Sequence, residues 1–133
     1  MIIANKEKRI LFISQPYKGS YHDYKILKSE FNPRQANWFI KMEVYVDLGF
    51  LGIQKDFISK IRIPFKRKKK QELEKDQKEY NKSLSRTRVK VEHAIGGLKR
   101  FRILSDRLRM RSRARYHRIL GICAALWNYQ LTN

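Results

Sequence analysis

Short runs of β-branched and aromatic residues alternate along this chain with segments of helical spacing, and this order restricts the possible folds most. The runs MIIA and RILFISQ predict two strands joined by a turn at Asn5. Residues 44–46 predict a short buried strand that closes at Asp47 and stops at Gly49, and FISKIRIPF predicts a strand that ends near Pro64. The order strand, strand, helix, strand, strand and then helices is typical of an α/β domain with a mixed sheet, where functional groups collect at strand ends.

The segment between the second and third strands carries a helix-start signal. Ser20 and Asp23 form an S-x-x-D capping box, in which the Ser side chain caps the first turn. Tyr24, Leu27 and Phe31 then fall on one helical face. We therefore expect a helix that is capped by Ser20.

Two further helices are predicted in the C-terminal half. One apolar stripe steps by three and four through Leu84, Thr87, Val91, Ile95 and Leu98. Gly96 and Gly97 interrupt the stripe. Each glycine destabilises a helix interior by about 1 kcal/mol, so a kink or a close neighbour is expected there. The charged residues 66–83 predict either a solvated connector or the first exposed turns of this helix, and residues 113–130 predict the last helix.

The charge balance indicates an anionic partner. Among 133 residues, 31 Lys and Arg stand against 12 Asp and Glu, which gives a formal net charge of +19. Such a domain repels itself unless an anion is nearby, so nucleic acid is the first candidate partner and an anionic membrane surface the second. The hydrophobic fraction of 42% is too high for a disordered basic tail. The length fits a single domain over residues 1–133, and no apolar run approaches the ~20 residues that span a bilayer.

Arginine is concentrated in one stretch near the C-terminus. Because the guanidinium fork suits bidentate phosphate contacts, this stretch predicts contact with the DNA backbone. Its members are Arg107, Arg109, Arg111, Arg113, Arg115 and Arg118. The run FKRKKK, residues 65–70, is a weaker signal, and a solvated loop is its simplest interpretation. Tyr116, Trp127 and Tyr129 are interpreted as core residues rather than platforms for stacked bases.

The cysteine and histidine content predicts neither a disulfide nor a zinc site. Cys123 is the only cysteine and lies in the apolar run ILGICAALW, where a small core residue is its simplest interpretation. A lone cysteine suits a reducing compartment, and the three scattered histidines have no zinc spacing. The N-terminus turns charged at Lys6, so no signal peptide is visible. We therefore expect a cytoplasmic protein.

Two carboxylates are candidates for chemistry. Asp47 ends a buried strand, where ligands bind, although capping of the turn before Gly49 is the simpler interpretation. Glu92 shares a helical face with Arg88 and Lys99 in the form R-x3-E-x6-K, although an Arg–Glu ion pair worth ~0.3–0.5 kcal/mol is the simpler interpretation there. Phosphodiester chemistry uses hard divalent cations held by carboxylate oxygens. A strand-end Asp and a helical Glu in a chain of this charge suit that chemistry.

Four segments of the sequence agree with one known pattern. They are GSYHDYKIL, VYVDLGFLG, NKSLSRTRVKVEHAIGGLKRFRIL and CAALWNYQL. In this order, and over nearly all of the chain, they resemble the catalytic half of bacterial insertion-sequence transposases of the DDE endonuclease superfamily. The resemblance implies a ribonuclease H-like fold in which Asp47 is the second catalytic acid and Glu92 the third, together binding two Mg²⁺ or Mn²⁺ ions. Arg88 and Lys99 match the basic members of the Y-x2-R-x3-E-x6-K signature. The residues expected to contact DNA phosphates are Arg88, Lys99, Arg100, Arg107, Arg109 and Arg111.

Two departures from the family pattern bear on activity. Ser85 stands where the signature has Tyr. The first catalytic Asp has no match, because residues 2–15 resemble the second and third strands of the family, which follow the central strand that carries this Asp. The resemblance therefore implies the downstream part of a transposase from a split, frameshifted or decayed reading frame, without its first central strand. Asp23 is explained by the capping box rather than as a substitute for the missing acid.

By this resemblance the intact enzyme hydrolyses a DNA strand at the end of the element and joins the free 3′-hydroxyl to target DNA. The implied partners are DNA, the upstream transposase portion with the first Asp, and further copies of the chain, in the bacterial cytoplasm near the nucleoid. The chain alone is expected to be inactive. The main alternative is a catalytically inactive DNA-binding remnant or transposition inhibitor, since it shares every basic residue. A more distant alternative is an unrelated basic protein associated with RNA or the ribosome.

Overall fold

The computed structural model describes residues 1–105 and 111–133, which form two compact units. One unit comprises residues 1–18 and 89–133, and the other residues 19–88. In chain order the elements are β1 (Ile2–Ala4), β2 (Ile10–Ile13), α1 (Asp23–Glu30), β3 (Glu43–Tyr45), a 3₁₀ turn (Leu48–Phe50), α2 (Ile53–Asp56), β4 (Lys60–Arg62), α3 (Lys75–Lys99), α4 (Arg102–Ser105) and α5 (Arg113–Thr132). The predicted alternation of strands and helices, and hence the α/β class, is confirmed.

The first unit opens with the predicted hairpin. Strands β1 and β2 pair antiparallel, with Ile2 opposite Ile13. The turn between them depends on Asn5, because its Oδ1 accepts hydrogen bonds from the backbone N–H of Glu7 at 3.2 Å and of Arg9 at 2.9 Å. A side chain that replaces backbone partners in this way is the reason that Asn favours turns.

The core of this unit lies where the hairpin meets α3 and α5. Its buried members are Ile10, Ala94, Leu98, Cys123, Ala124 and Trp127. The side chain of Asn128 fastens α5 to β2, since it accepts from Ile10 N–H and donates to Ile10 C=O, both at 2.8 Å. Trp127 Nε1 donates to the carbonyl of Lys8 at 2.9 Å. The predicted burial of Cys123 and Trp127 is confirmed, and burial raises the pKa of the Cys123 thiol.

Gly97 explains why α3 carries glycine inside its stripe. A Cβ at this position would overlap the ring of Trp127, 2.6 Å from its Cη2, whereas a Cβ at Gly96 would meet nothing within 4 Å. The predicted close neighbour is therefore found at Gly97. The helix continues through both glycines to Lys99.

The second unit contains β3 and β4, which pair in parallel with Val44 opposite Ile61. The pairing extends one residue further, because Val46 N–H donates to Arg62 C=O at 3.0 Å. The buried apolar side chains of this unit are Ile26, Leu27, Phe39, Val46, Ile53, Phe57 and Leu84. The parallel pairing thus continues to Val46, the residue before Asp47.

Three sequence predictions about local structure differ from the observed fold. Helix α1 begins after His22, which has an extended backbone and makes no side-chain cap, so the capping box at Ser20 is wrong. The strands described form two separate two-stranded sheets rather than one mixed sheet. Tyr129 is 67% exposed and is therefore not a core residue.

The charged segment before the apolar stripe has both of its predicted structures. Residues 66–74 form the connector, and α3 begins at Lys75, well before the stripe. Lys, Glu and Gln have high helix propensity, so the helix extends into residues that bury little surface. The last helix was predicted over residues 113–130, and α5 runs from Arg113 to Thr132.

Candidate functional site

Asp47 lies where β3 ends and the 3₁₀ turn begins. Its Oδ1 accepts a hydrogen bond from Gly49 N–H at 2.6 Å, so the predicted turn cap is confirmed. Its Oδ2 lies 3.2 Å from Nη2 of Arg88, which projects from α3. The Asp47 side chain remains 48% exposed, whereas that of Arg88 is 34% exposed. The two bonds orient the carboxylate and leave it open to a ligand.

A second carboxylate approaches the same turn. A Cβ added to Gly49 would lie 3.3 Å from Asp47 Oδ1 and 3.6 Å from Asp23 Oδ2. Asp23 is the first residue of α1, where a negative charge complements the helix dipole. The sequence suggested only a capping role for Asp23. Its position beside the Asp47 turn comes from the packing of α1 against the turn, which no local pattern shows.

The far end of the turn is fixed by Tyr24 and Gly52. Gly52 has φ +94°, and its carbonyl accepts a hydrogen bond from the Tyr24 hydroxyl at 3.2 Å. The same hydroxyl bonds to Asp56, which forms an ion pair with Lys28 at 3.3 Å. Desolvation, with the nearby Asp56 carboxylate, raises the pKa of Tyr24 to about 12, and the hydrogen bond from Tyr24 lowers that of Asp56. The hydroxyl therefore stays a hydrogen-bond donor at neutral pH.

We expect Gly52→Ala to lower the free energy of unfolding by about 1–2 kcal/mol, because an L side chain at positive φ meets the backbone. Gly52→Asn is the matched control, since Asn tolerates the left-handed region better than Ala and should cost less. Urea denaturation monitored by circular dichroism measures both. Equal losses for the two variants would contradict a backbone origin of the effect.

The other predicted site residues lie on or near α3. Glu92 is exposed on α3, Lys99 is its last residue, and Arg100 follows directly; both basic side chains are exposed. Arg111 is also exposed, whereas Arg107 and Arg109 lie outside the described residues. The sequence missed the Arg88–Asp47 ion pair, because 41 residues separate its members.

The carboxylate oxygens of Asp47 and Glu92 are ligands of the type that a hard divalent cation binds. Carboxylate oxygens are the ligands that Mg²⁺ and Mn²⁺ prefer. Within residues 1–105 and 111–133, no three His, Cys, Asp or Glu side chains group as metal ligands. A complete three-carboxylate site is therefore not present in the described part of the chain, although Asp47 offers a fixed and half-exposed donor.

The family profile described as DDE superfamily endonuclease matches residues 1–128. The chain belongs to this family. The chain is 35% identical over 132 residues to the probable transposase for insertion sequence element IS702 from Microchaete diplosiphon. The match covers 98% of the chain and 45% of that relative, so the chain spans about half the relative's length. No solved structure matches the chain. No helix in the described ranges of the chain is long and apolar enough to cross a membrane.

Proposed function

We propose that this chain carries the second and third catalytic carboxylates of a DDE transposase with a ribonuclease H-like fold. The observation that carries the proposal is Asp47, a strand-end carboxylate that Gly49 and Arg88 orient while about half of it stays exposed. Family membership over residues 1–128 supports the reaction class. In the first step, a water oxygen bonds to phosphorus while the phosphorus–O3′ bond breaks, and the proton lost by the water balances the one gained by the leaving 3′-oxygen. In the second step, this 3′-hydroxyl oxygen bonds to a phosphorus of target DNA while the P–O3′ bond of the target breaks, and the target's 3′-oxygen leaves and is protonated.

Asp47 and Glu92 would hold Mg²⁺ or Mn²⁺, with two ions in the complete site. When bound, these ions activate the attacking oxygen and stabilise the leaving oxygen. We assign the first catalytic Asp to a part of the transposase outside residues 1–133, in an assembly that contains more than one copy of the chain.

The remaining residues orient the carboxylate and the DNA. Gly49 N–H fixes Oδ1 of Asp47, and the Arg88 guanidinium balances the negative charge at Oδ2. Lys99, Arg100 and Arg111 are exposed cations that suit the phosphate backbone. Arg88 is close enough to Asp47 to contact a phosphate that approaches it.

The chain should melt at a higher temperature in Mn²⁺ or Mg²⁺, because a ligand of the folded state stabilises it by about 2.7 kcal/mol at 100 times its Kd. Asp47→Asn and Glu92→Gln keep side-chain size and remove the charge, so each should abolish the shift in a thermal melt. Asp76→Asn and Glu79→Gln are matched controls, since both acids lie on α3 without an ion pair in the described part of the chain, and should retain the shift.

A supercoiled-plasmid nicking assay separates cation binding from catalysis. With two of three carboxylates, the chain alone should leave the plasmid intact in Mg²⁺. Nicking that survives Glu92→Gln would contradict the DDE assignment. Nicking that is lost in Asp23→Asn would place the first acid at Asp23, beside the Asp47 turn. In the thermal melts, an equal shift for Asp47→Asn, Glu92→Gln and the two control variants would contradict the proposed metal site.

A further inference from the structure

We propose that residues 66–70, here called the basic loop, form a binding surface for the phosphate backbone of duplex DNA, and that Asn81 positions it. The proposal rests on the proposed function in one respect, since it takes DNA as the partner. Its observations are independent of the Asp47 turn and lie within residues 19–88.

The basic loop carries charge that the fold leaves unneutralised. All five residues, Lys or Arg, are exposed, and none has an ion pair in the described ranges. The ion pairs that acids of this unit form in the described ranges are with other bases. Glu43 lies 2.8 Å from Arg62 and 3.4 Å from Lys60, and the hydrogen bond from Arg62 lowers the pKa of Glu43. Consecutive like charges repel one another, and an external anion relieves that repulsion.

The entry to the basic loop is fastened to α3 by one side chain. Asn81 accepts a hydrogen bond from Phe65 N–H at 2.8 Å and donates one to Phe65 C=O at 3.1 Å. Its amide thus pairs with Phe65 as a neighbouring strand would. The Phe65 ring meets the Tyr80 ring edge-on at a centroid distance of 5.3 Å.

The exit of the basic loop is fastened to the same helix. Glu72 forms an ion pair with Lys78 at 3.1 Å, and Glu74 N–H donates to Gln77 Oε1 at 3.2 Å. Between the two anchors the chain turns tightly, with Gln71 N–H donating to Lys68 C=O at 3.3 Å and Lys70 at φ 65°. A solvated loop requires none of these contacts.

A fixed array of cations suits a polyanion with regularly spaced charges. Folding already restricts the backbone of the basic loop. The loop therefore loses less conformational entropy when it binds phosphates. Lysine binds phosphate as a point charge and arginine as a fork, and together they read backbone rather than sequence. Membership of a transposase family favours DNA over an anionic membrane as the polyanion.

The loop variant Lys66→Gln, Arg67→Gln, Lys68→Gln and Lys69→Gln tests the surface. We expect it to bind a fluorescent 30-base-pair duplex about 100-fold more weakly, with the slope of log K against log salt reduced by about 0.9 for each lost contact. The matched control Lys18→Gln, Arg34→Gln, Lys41→Gln and Lys55→Gln removes the same charge from exposed positions and should lose only a few-fold.

Asn81→Ala tests the positioning role without changing the charge. We expect DNA binding to weaken by about 5- to 10-fold, because release of one end of the loop should remove about one phosphate contact. We also expect faster trypsin cleavage within residues 66–70, because the released loop is more accessible to the protease. Ser83→Ala, an exposed change on the same helix, should alter neither. Trypsin cleavage reports the release of the loop, and a thermal melt reports any general loss of stability, so the two measurements separate these effects.

The outcomes distinguish the proposals. Absence of duplex binding by the unmodified chain at low salt would overturn DNA binding and with it the proposed function. Equal losses in the loop variant and its charge-matched control would overturn the surface while DNA binding stands. If the loop variant loses binding to vesicles that contain phosphatidylserine but keeps its binding to DNA, the basic loop binds an anionic membrane rather than DNA. Unchanged DNA affinity in Asn81→Ala would overturn the positioning role.

Discussion

Gly97→Ala is expected to lower the free energy of unfolding by about 2–3 kcal/mol, because overpacking a close-packed core costs this much. The added methyl would overlap the ring of Trp127, which is buried and hydrogen-bonded to Lys8 C=O and therefore cannot turn aside freely. Either the indole hydrogen bond breaks or α3 and α5 separate. Chemical denaturation of the two proteins measures the difference.

Gly96→Ala provides the matched control for this experiment. Its added methyl meets nothing within 4 Å, and the residue lies in the same helix. Ala exceeds Gly in helix propensity by about 0.8–1 kcal/mol, so this variant should be more stable than the natural chain. Adjacent substitutions of the same kind are therefore expected to have opposite signs. Stabilisation by both would show that α5 does not pack against Gly97.

Asn128→Ala is expected to cost about 2–3 kcal/mol of unfolding free energy. It removes both hydrogen bonds to Ile10, which leaves a backbone N–H and C=O without partners at the join between β2 and α5. Gln130→Ala is the control, since it lies exposed on the same helix and should change stability by less than about 0.5 kcal/mol. Equal losses in urea denaturation would mean that the two hydrogen bonds to Ile10 do not set the loss, since Ala exceeds both Asn and Gln in helix propensity.

Both substitutions act in the unit formed by residues 1–18 and 89–133, which lacks the Asp47 turn. They therefore test the stability of this unit apart from the Asp47 turn. Gly97→Ala should lower the melting temperature, and Mn²⁺ should still raise the melting temperature of this variant through Asp47. That result would show that core packing and cation binding contribute separately to the stability of the folded chain. The Gly52→Ala variant reports on the turn itself.

The sequence by itself determined the local elements. Asn5 indicated the hairpin turn, and the apolar spacing from Leu84 to Leu98 indicated α3, because turn chemistry and helical period depend on residues a few positions apart. It also determined the family, since the motifs that include Asp47 and Glu92 occur in order along the chain. The helix-start signal at Ser20 was wrong, because the observed helix begins after His22, and the His22 side chain makes no capping hydrogen bond.

Only the tertiary structure decided which distant residues meet. Arg88 reaches Asp47 across 41 positions, Asn81 holds Phe65 across 16, and Asn128 holds Ile10 across 118. A sequence pattern records spacing along one element, whereas these contacts depend on how separate elements pack. Gly97 is the clearest case. The sequence predicted a kink or a close neighbour at Gly96 and Gly97, and only the structure identifies that neighbour as the ring of Trp127, which fills the space of the missing side chain at Gly97.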